Sequence, residues 1–470
     1  MNEQKVPLLQ KIGFMLSGGC MIVFNLVTLF ALIFFTDLMG LSPAVVGTML
    51  LVSKVVDAVF DPALGTMIDR TETRFGKTKP WIFAGAIGTF VLGILVFVVP
   101  GFGSTGKLVW SFITYNGVNI AFSACVLGIL TLIPLVTKSQ LERVSVTAFQ
   151  YMGQYIFAIA TTAAVMPLIT YFNKSTPISA YWKTTLILGG IGFVATMAFL
   201  FTAKENVPMQ APTEKAGVLG KESLAALSKN KYFMLLAATF VIMLVAMSVH
   251  QSALAQYLIY GLKMPDLASV LIPLFYVGAF LAAILAKSFA RFDKLKVIKF
   301  AVVGILAGDA LRLLTGDSSV PIVIGGEFLI GLGAGFFSVY LPPLLIDTVE
   351  YGFFKFKVRN YGLVMSAMTV FQKIAQGVGI ALTGYWLEFG GYVSGAVEQS
   401  ESVAKTLFDA HLLPFAIAPL LGLFLLHFYK LDMKTMEGIL VENEKGANVS
   451  VDEAGGEEAD AATGEADGEV

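Results

Sequence analysis

Apolar windows of about 20 residues, the length that crosses a lipid hydrocarbon core as a helix, recur along almost the whole chain between short polar breaks. The breaks place predicted helices at residues 12–36, 42–68, 81–100, 108–136, 146–172, 184–203, 233–261, 267–290, 296–315, 320–347, 360–387 and 408–429. The pattern therefore predicts an all-α membrane protein with twelve transmembrane helices.

One longer polar stretch divides the predicted helices six and six. Two halves joined by a central loop are typical of transporters built from repeated helix bundles. We expect an N-terminal six-helix bundle over residues 1–203, a cytoplasmic central loop over 204–231 and a C-terminal six-helix bundle over 232–430. The chain then turns polar and acidic, so residues 431–470 are predicted to form a disordered tail.

Composition narrows the possible functions. Of the 470 residues, 56% are hydrophobic and 14% charged, with a formal net charge of −1, which favours neither a soluble domain nor nucleic-acid binding. The motifs HExxH, GxSxG and GxxxxGK[ST] are absent, so the sequence supports neither an enzyme nor ATP as the energy source. No cofactor is expected. Cys20 and Cys125 both fall in predicted helices, which favours packing roles over a disulfide or a metal site.

Lysine and arginine are concentrated in the loops that follow even-numbered helices. Besides five lysines of the central loop, these residues are Arg70, Arg74, Lys77, Lys79, Lys138, Arg143, Lys287, Arg291, Lys294, Lys296, Lys299, Lys355, Lys357 and Arg359. The opposite side has Lys107, Lys174, Lys183, Lys263, Arg312 and Lys405. Basic loops stay in the cytoplasm, so both termini are predicted to be cytoplasmic.

The second predicted helix carries charges within its apolar run. Lys54, Asp57 and Asp61 are spaced by three and four residues, so they share one helix face. Each charge near the bilayer centre costs on the order of 2.5–3.5 kcal/mol, and two neighbouring carboxylates also repel each other. We expect Lys54 to neutralise one carboxylate, with a sodium ion or a proton at the other. The alternative is a structural ion pair between helices.

Two charged motifs frame this feature. Residues 57–81 read DAVFDPALGTMIDRTETRFGKTKPW, and residues 346–362 read IDTVEYGFFKFKVRNYG. In this order, with Lys373 in the following helix, they resemble the glycoside-pentoside-hexuronide:cation symporters, a branch of the major facilitator superfamily. The resemblance covers about residues 8 to 430 and implies the major facilitator fold, with a small solute carried together with Na⁺ or H⁺.

Position by position, the resemblance implies a coupling-cation site at Asp57 and Asp61, completed by Ser123. From its charge on the same helix face, we expect Lys54 to tune the affinity of this site. Asp57 and Asp61 would be metal ligands only if the ion is sodium. Phe60 stands where the family has an asparagine, which removes a neutral oxygen ligand and favours a proton without deciding between the two ions. The motifs also imply gating and cytoplasmic-loop residues, namely Asp69, Arg70, Arg74, Lys77, Asp347, Glu350 and Arg359.

The sugar-facing charges of the melibiose-carrier branch are absent here, where Cys20, Met21, Val126 and about Gln150 stand in their place. No carboxylate remains to accept paired sugar hydroxyls, so a galactoside of the usual kind is not expected. The polar residues left in the helices supply the candidate solute contacts, with Lys373 as the positive one. These candidates are Lys373, His250, Gln251, Gln150, Gln372 and Asn25. Asp309 and Arg312 are interpreted as an internal salt bridge or an interface charge.

The leading hypothesis is secondary active symport of a glycoside, a uronide or a related sugar-like solute. The alternative is a cation-coupled carrier of an amphiphile such as a lysolipid, favoured by the apolar Met21 and Val126. A small-molecule substrate and the lipid bilayer are the expected partners, without nucleic acid. We expect a monomer in a bacterial plasma membrane.

Overall fold

The computed structural model describes residues 5–137, 140–174, 177–205, 221–289, 291–315, 319–356, 361–396 and 398–443. Within this part of the chain, twelve long helices follow one another. They are α1 (Leu8–Leu38), α2 (Pro43–Asp69), α3 (Lys79–Val96), α4 (Ser104–Val136), α5 (Gln140–Asn173), α6 (Pro177–Thr202), α7 (Lys231–Gly261), α8 (Ala268–Phe289), α9 (Lys294–Thr315), α10 (Val320–Phe356), α11 (Tyr361–Phe389) and α12 (Glu401–His427).

Each long helix coincides with one predicted span. Ten of the twelve are long and apolar enough to cross a membrane, and α9 and α11 occupy the ninth and eleventh predicted positions. The chain is therefore an integral, multi-pass membrane protein. Cys20 and Cys125 are buried free cysteines, as expected for packing residues.

The first helix is not uniform, and one of its two irregular turns contains two glycines. Residues Ser17–Cys20 form a 3₁₀ turn in which a Cβ on Gly18 would lie 2.5 Å from the backbone of Gly153 in α5. This contact requires glycine, and it allows the α1 and α5 backbones to approach closely. After a π-helical turn over Phe34–Leu38, Gly40 has a φ of 72°, the left-handed conformation that commonly ends a helix.

Packing is densest within each half of the chain, for example between α3 and α4 and between α9 and α10. The halves meet along three seams, where α2 packs on α11, α5 on α8 and α1 on α7. The α2–α11 seam is close because it contains glycines on both helices, Gly47 and Gly384. A Cβ on Gly47 would lie 3.1 Å from Cα of Ala381. This seam brings charges of α2 next to α11.

The segment after α12 departs from the sequence prediction. Residues 433–443 are helical, Met436 and Ile439 are buried, and Asn443 Nδ2 donates to the backbone oxygen of Glu350 at 3.1 Å. Disorder from residue 431 is therefore wrong for this stretch. Its buried positions, Met436, Ile439 and Asn443, are spaced by three and four residues and pack at the end of α10. Residues 444–470, 206–220 of the predicted central loop, Arg359 and the side chain of Asp69 lie outside the described part of the chain.

Candidate ion and solute sites

The charged face of α2 meets a lysine of α11. Lys373 Nζ lies 3.0 Å from Asp57 Oδ2 and also contacts Asp61 Oδ2. The side chains of Lys373 and Asp57 are 14% and 7% exposed, so the pair is shielded from water. Two carboxylates of one half and one ammonium of the other half thus form a cluster with formal charge −1.

Lys54 differs from its predicted role. Its Nζ donates to Asn119 Oδ1 of α4 at 3.0 Å and lies 5.3 Å from the ring centroid of Phe24. The neutralising position that we expected for Lys54 is taken by Lys373. The two lysines differ in the side from which they reach the carboxylates. Lys54 is one turn before Asp57 on the same helix, whereas Lys373 approaches both carboxylates from across the α2–α11 seam.

The cluster also has oxygen atoms suited to a small cation. Ser123 Oγ of α4 donates to Asp57 Oδ1 at 3.2 Å, so the predicted hydroxyl does lie beside the predicted carboxylate. Asp61 Oδ1 is buried and has no hydrogen-bond partner in the described residues. Hard cations prefer several such oxygens. Phe60, which stands where the family has an asparagine, is 46% exposed and offers no side-chain oxygen to the cluster.

A cavity of about 430 Å³ lies between the two halves. A volume in this range suits a small organic ligand. Its polar lining is supplied by amides, hydroxyls and one lysine, namely Asn25, Thr28, Lys54, Thr162, Ser248, Gln251, Ser252, Tyr276, Ser338, Gln372 and Gln376. Among the described residues that line it, Lys54 is the one with a charge.

The predicted solute residues divide into two groups. Asn25, Gln251 and Gln372 line the cavity, and Gln376, one turn after Gln372, joins them. Gln150 and His250 are 2% and 1% exposed and are not part of the lining. Lys373 is held by the α2 carboxylates.

The two halves are joined at the end of the molecule where α1 and α7 finish. Asp37 accepts hydrogen bonds of 2.6 Å from the hydroxyls of Tyr260 in α7 and Tyr392 after α11. Nearby, the hydroxyls of Thr48 and Tyr385 lie 2.8 Å apart. These contacts connect the two halves at this end, which we call the Asp37 end.

At the opposite, lysine- and arginine-rich end, the described side-chain bonds connect parts of the same half. The backbone nitrogen of Lys77 donates to Glu205 Oε2 at 3.1 Å. Asp347 pairs with Lys294 at 2.6 Å, and Glu350 Oε2 accepts from Asn443. Arg70 and Arg74 are exposed. The gating candidates within the described part of the chain thus lie at one end of the molecule.

A second charged cluster was missed by the sequence reasoning. Glu327 of α10 accepts a hydrogen bond of 2.8 Å from Arg312 of α9 and lies 3.1 Å from His250 Nε2 of α7. Arg312 also donates to His411 Nε2 of α12 at 3.1 Å. Arg312 is fully buried and forms an internal salt bridge with Glu327, one of the two interpretations of this residue, so it is not a loop charge. The available signal was four ionisable residues within apolar spans.

Comparisons with known proteins find relatives along nearly the whole chain. A family model described as MFS/sugar transport protein matches residues 15–433. The isoprimeverose transporter of Lactiplantibacillus pentosus is 31% identical over 442 residues, which cover 92% of this chain and 90% of that protein. A putative glycoside/cation symporter of Escherichia coli (strain K12) is 24% identical and covers 91% of this chain and 93% of its own.

Among solved structures, a bacterial homolog to the human lysosomal transporter Spinster, in an inward-facing and unoccupied conformation, superimposes with a TM-score of 0.65. The match covers 93% of this chain and 97% of that one, at 13% sequence identity. At that identity the match shows the fold alone.

Proposed function

The chain belongs to the MFS/sugar transport protein family, whose members are membrane transporters and not enzymes, and we propose that it carries a glycoside, a uronide or a related sugar-like solute together with a cation. The observation that carries this proposal is that α2 and α11 each contribute to both sites. In α2, Lys54 lines the cavity three residues before Asp57, and in α11, Gln372 precedes Lys373.

The coupling ion in this proposal is Na⁺ or H⁺, and Asp57, Asp61 and Ser123 hold it. The Lys373 ammonium occupies the space between the carboxylates and serves as an internal cation. An entering ion competes with it for the same carboxylate oxygens, because Lys373 Nζ already contacts Oδ2 of both Asp57 and Asp61. Release of Lys373 then moves charge on α11 next to the cavity residues Gln372 and Gln376. Ion binding and solute binding are thereby linked.

Alternating access follows from the contacts between the halves. The Asp37 end is closed by hydrogen bonds from both tyrosines, whereas the described bonds at the basic end stay within one half. By the positive-inside rule the basic end is cytoplasmic, so this conformation is closed to the outside. One chain supplies both sites, which makes a monomer sufficient. We propose residues 1–203 and 232–430 as the two moving bundles.

The lysolipid alternative gains no support, because four amides and a lysine line the cavity. A binding screen tests the proposal. Thermal unfolding of the purified full-length protein is measured with isoprimeverose and with methyl glucuronide, in sodium or choline at equal ionic strength, at acidic and neutral pH. A sugar whose stabilising effect grows with sodium or with acidity supports it. The proposal is contradicted if lysolipid alone stabilises the protein. It is also contradicted if neither sugar raises the unfolding temperature under any condition.

A further inference from the structure

The buried cluster of His250, Arg312, Glu327 and His411 has a hydrogen-bond pattern that fixes its protons. His250 Nδ1 lies 3.0 Å from the backbone oxygen of His411, and His411 Nδ1 lies 3.2 Å from the backbone oxygen of His250. A carbonyl oxygen only accepts, so both Nδ1 atoms must carry hydrogen. The two histidines can therefore differ in protonation only at Nε2.

At His411, Nε2 faces Arg312 Nη1 at 3.1 Å. Arginine has no acceptor and stays protonated, so it donates and His411 Nε2 must be bare. His411 is thus neutral. At His250, Nε2 faces Glu327 Oε1 at 3.1 Å. A bare nitrogen and an ionised carboxylate are both acceptors and cannot bond to each other, so one proton must lie between them.

That proton belongs on His250. Arg312 Nη1 donates to the other oxygen of Glu327 at 2.8 Å, and a fixed positive charge favours the ionised carboxylate. Glu327 ionised and Arg312 charged leave His250 as an imidazolium. The rings of His250 and His411 stack with centroids 3.9 Å apart, a contact that two charged rings would disfavour. One charged and one neutral histidine fit this stack.

We propose that His250 Nε2, held by Glu327 and Arg312, is a proton-binding site of the C-terminal half, separate from the Asp57–Asp61 site. His250, Arg312, Glu327 and His411 are at most 1% exposed, so the bound proton is occluded in this conformation. The other ionisable groups that face the cluster are Asp309 of α9, which is also fully buried, and Tyr257 of α7, whose ring stacks on His411.

The site connects to the cavity through α7. Gln251 and Ser252, the two residues after His250, line the cavity. Loss of the proton leaves two acceptors facing each other, which repels α7 from α10 at this level. Proton occupancy thereby sets the position of the cavity side chains of α7, whichever ion binds at α2.

A metal ion is the competing occupant, since ligand atoms of His250, Glu327 and His411 all lie within 4.8 Å of one another. Zinc accepts such a ligand set. However, the guanidinium of Arg312 already bonds to Glu327 and His411, and its charge repels a divalent cation at this distance. The arrangement therefore favours a proton.

The chain offers a clean test because it contains three histidines in total. Histidine-selective ¹⁵N labelling of the full-length protein in lipid gives three imidazoles, whose ring-nitrogen shifts distinguish protonated from bare nitrogens. The exposed His427 lies outside the cluster and gives the third signal. Signals are assigned with His411→Gln and His427→Gln variants. A free histidine, with a pKa of about 6.5, is neutral at about pH 8.

At that pH we expect His411 to carry hydrogen on Nδ1 only and His250 to carry hydrogen on both nitrogens. In Glu327→Gln the amide can donate to His250 Nε2, so His250 should become neutral while His411 is unchanged. A bare nitrogen on His250 in the wild-type protein would overturn the proposal even if the variant does not fold. Shifts of His250 and His411 on adding Zn²⁺, reversed by a chelator, would assign a metal and overturn it too.

Discussion

The ammonium of Lys373 lies 3.0 Å from Asp57 Oδ2, across the seam between the two halves, and also contacts Asp61. One salt-bridged cluster therefore connects the α2 carboxylates with α11, a helix that lines the cavity. The same contact contributes to holding α11 on α2 in this conformation.

The first prediction concerns Lys373→Ala. Without its ammonium, Asp57 and Asp61 are left as a pair of like charges, 7% and 18% exposed. Removing one partner of a fully buried ion pair typically costs about 3–5 kcal/mol, so the loss here should be somewhat smaller. Added cation or acid should restore much of that loss. Thermal unfolding with and without sodium, at neutral and acidic pH, should therefore depend far more on cation in the variant than in the wild type.

Lys405→Ala is the matched control, because Lys405 is exposed on α12. It should leave the cation dependence unchanged. Equal cation dependence in Lys373→Ala and the wild type would show that Lys373 does not share the site with the ion.

The second prediction concerns the closed Asp37 end. Asp37→Asn removes the charge that accepts hydrogen bonds from Tyr260 and Tyr392. Bonds to a charged group are worth about 1.5–3 kcal/mol each, so the variant should open this end more often. A cysteine at Gln251, with Cys20 and Cys125 replaced by serine, should react faster with an impermeant thiol reagent added outside intact cells.

Tyr385→Phe provides the comparison, since it removes a hydrogen bond between two neutral hydroxyls at the same end. Its effect on labelling should be smaller. If Asp37→Asn labelled no faster than the unsubstituted background, the Asp37 contacts would not control access to the cavity.

The third prediction separates two glutamines that the sequence alone could not distinguish. Gln251 lines the cavity, whereas Gln150 is buried outside it. Gln251→Ala should lose about 1 kcal/mol of hydrogen bonding, which is roughly fivefold in solute affinity, with Gln150→Ala near the wild-type value. Equilibrium binding of the solute that emerges from the screen measures both. A larger loss of affinity in Gln150→Ala than in Gln251→Ala would show that the solute does not bind in this cavity.

The fourth prediction concerns charge selectivity. Lys54 is the charged residue among the described cavity lining, so Lys54→Gln should weaken binding of a uronide more than binding of a neutral glycoside. Competition between methyl glucuronide and isoprimeverose gives the ratio directly. An unchanged ratio would show that the Lys54 charge serves the ion site instead, as the sequence alone suggested.

The sequence predicted the twelve helices because each is a long apolar window with a polar break at its ends. It also indicated Asp57, Asp61 and Ser123, since spacing on one helix and a family resemblance are visible in one dimension. It could not tell which lysine meets the carboxylates, because that depends on how α11 packs on α2. Likewise, the sequence predicted His250 to be a cavity residue, whereas in the structure its side chain faces Glu327 and His411.

The helix at residues 433–443 was missed for a different reason. Its buried positions, Met436, Ile439 and Asn443, are few and are flanked by acidic residues. The segment is therefore polar on average, and the helical spacing of these three positions was overlooked. The surface that they cover, at the end of α10, exists only in the folded protein.

The most direct test of cation coupling compares accumulation with exchange in proteoliposomes. Wild-type protein should accumulate the solute when an inward sodium or proton gradient is imposed. Asp57→Asn and Asp61→Asn should abolish that accumulation while solute counterflow at equal ion concentrations continues, because the cavity remains intact. Accumulation by both variants at the wild-type level would contradict the account and would make the two carboxylates structural.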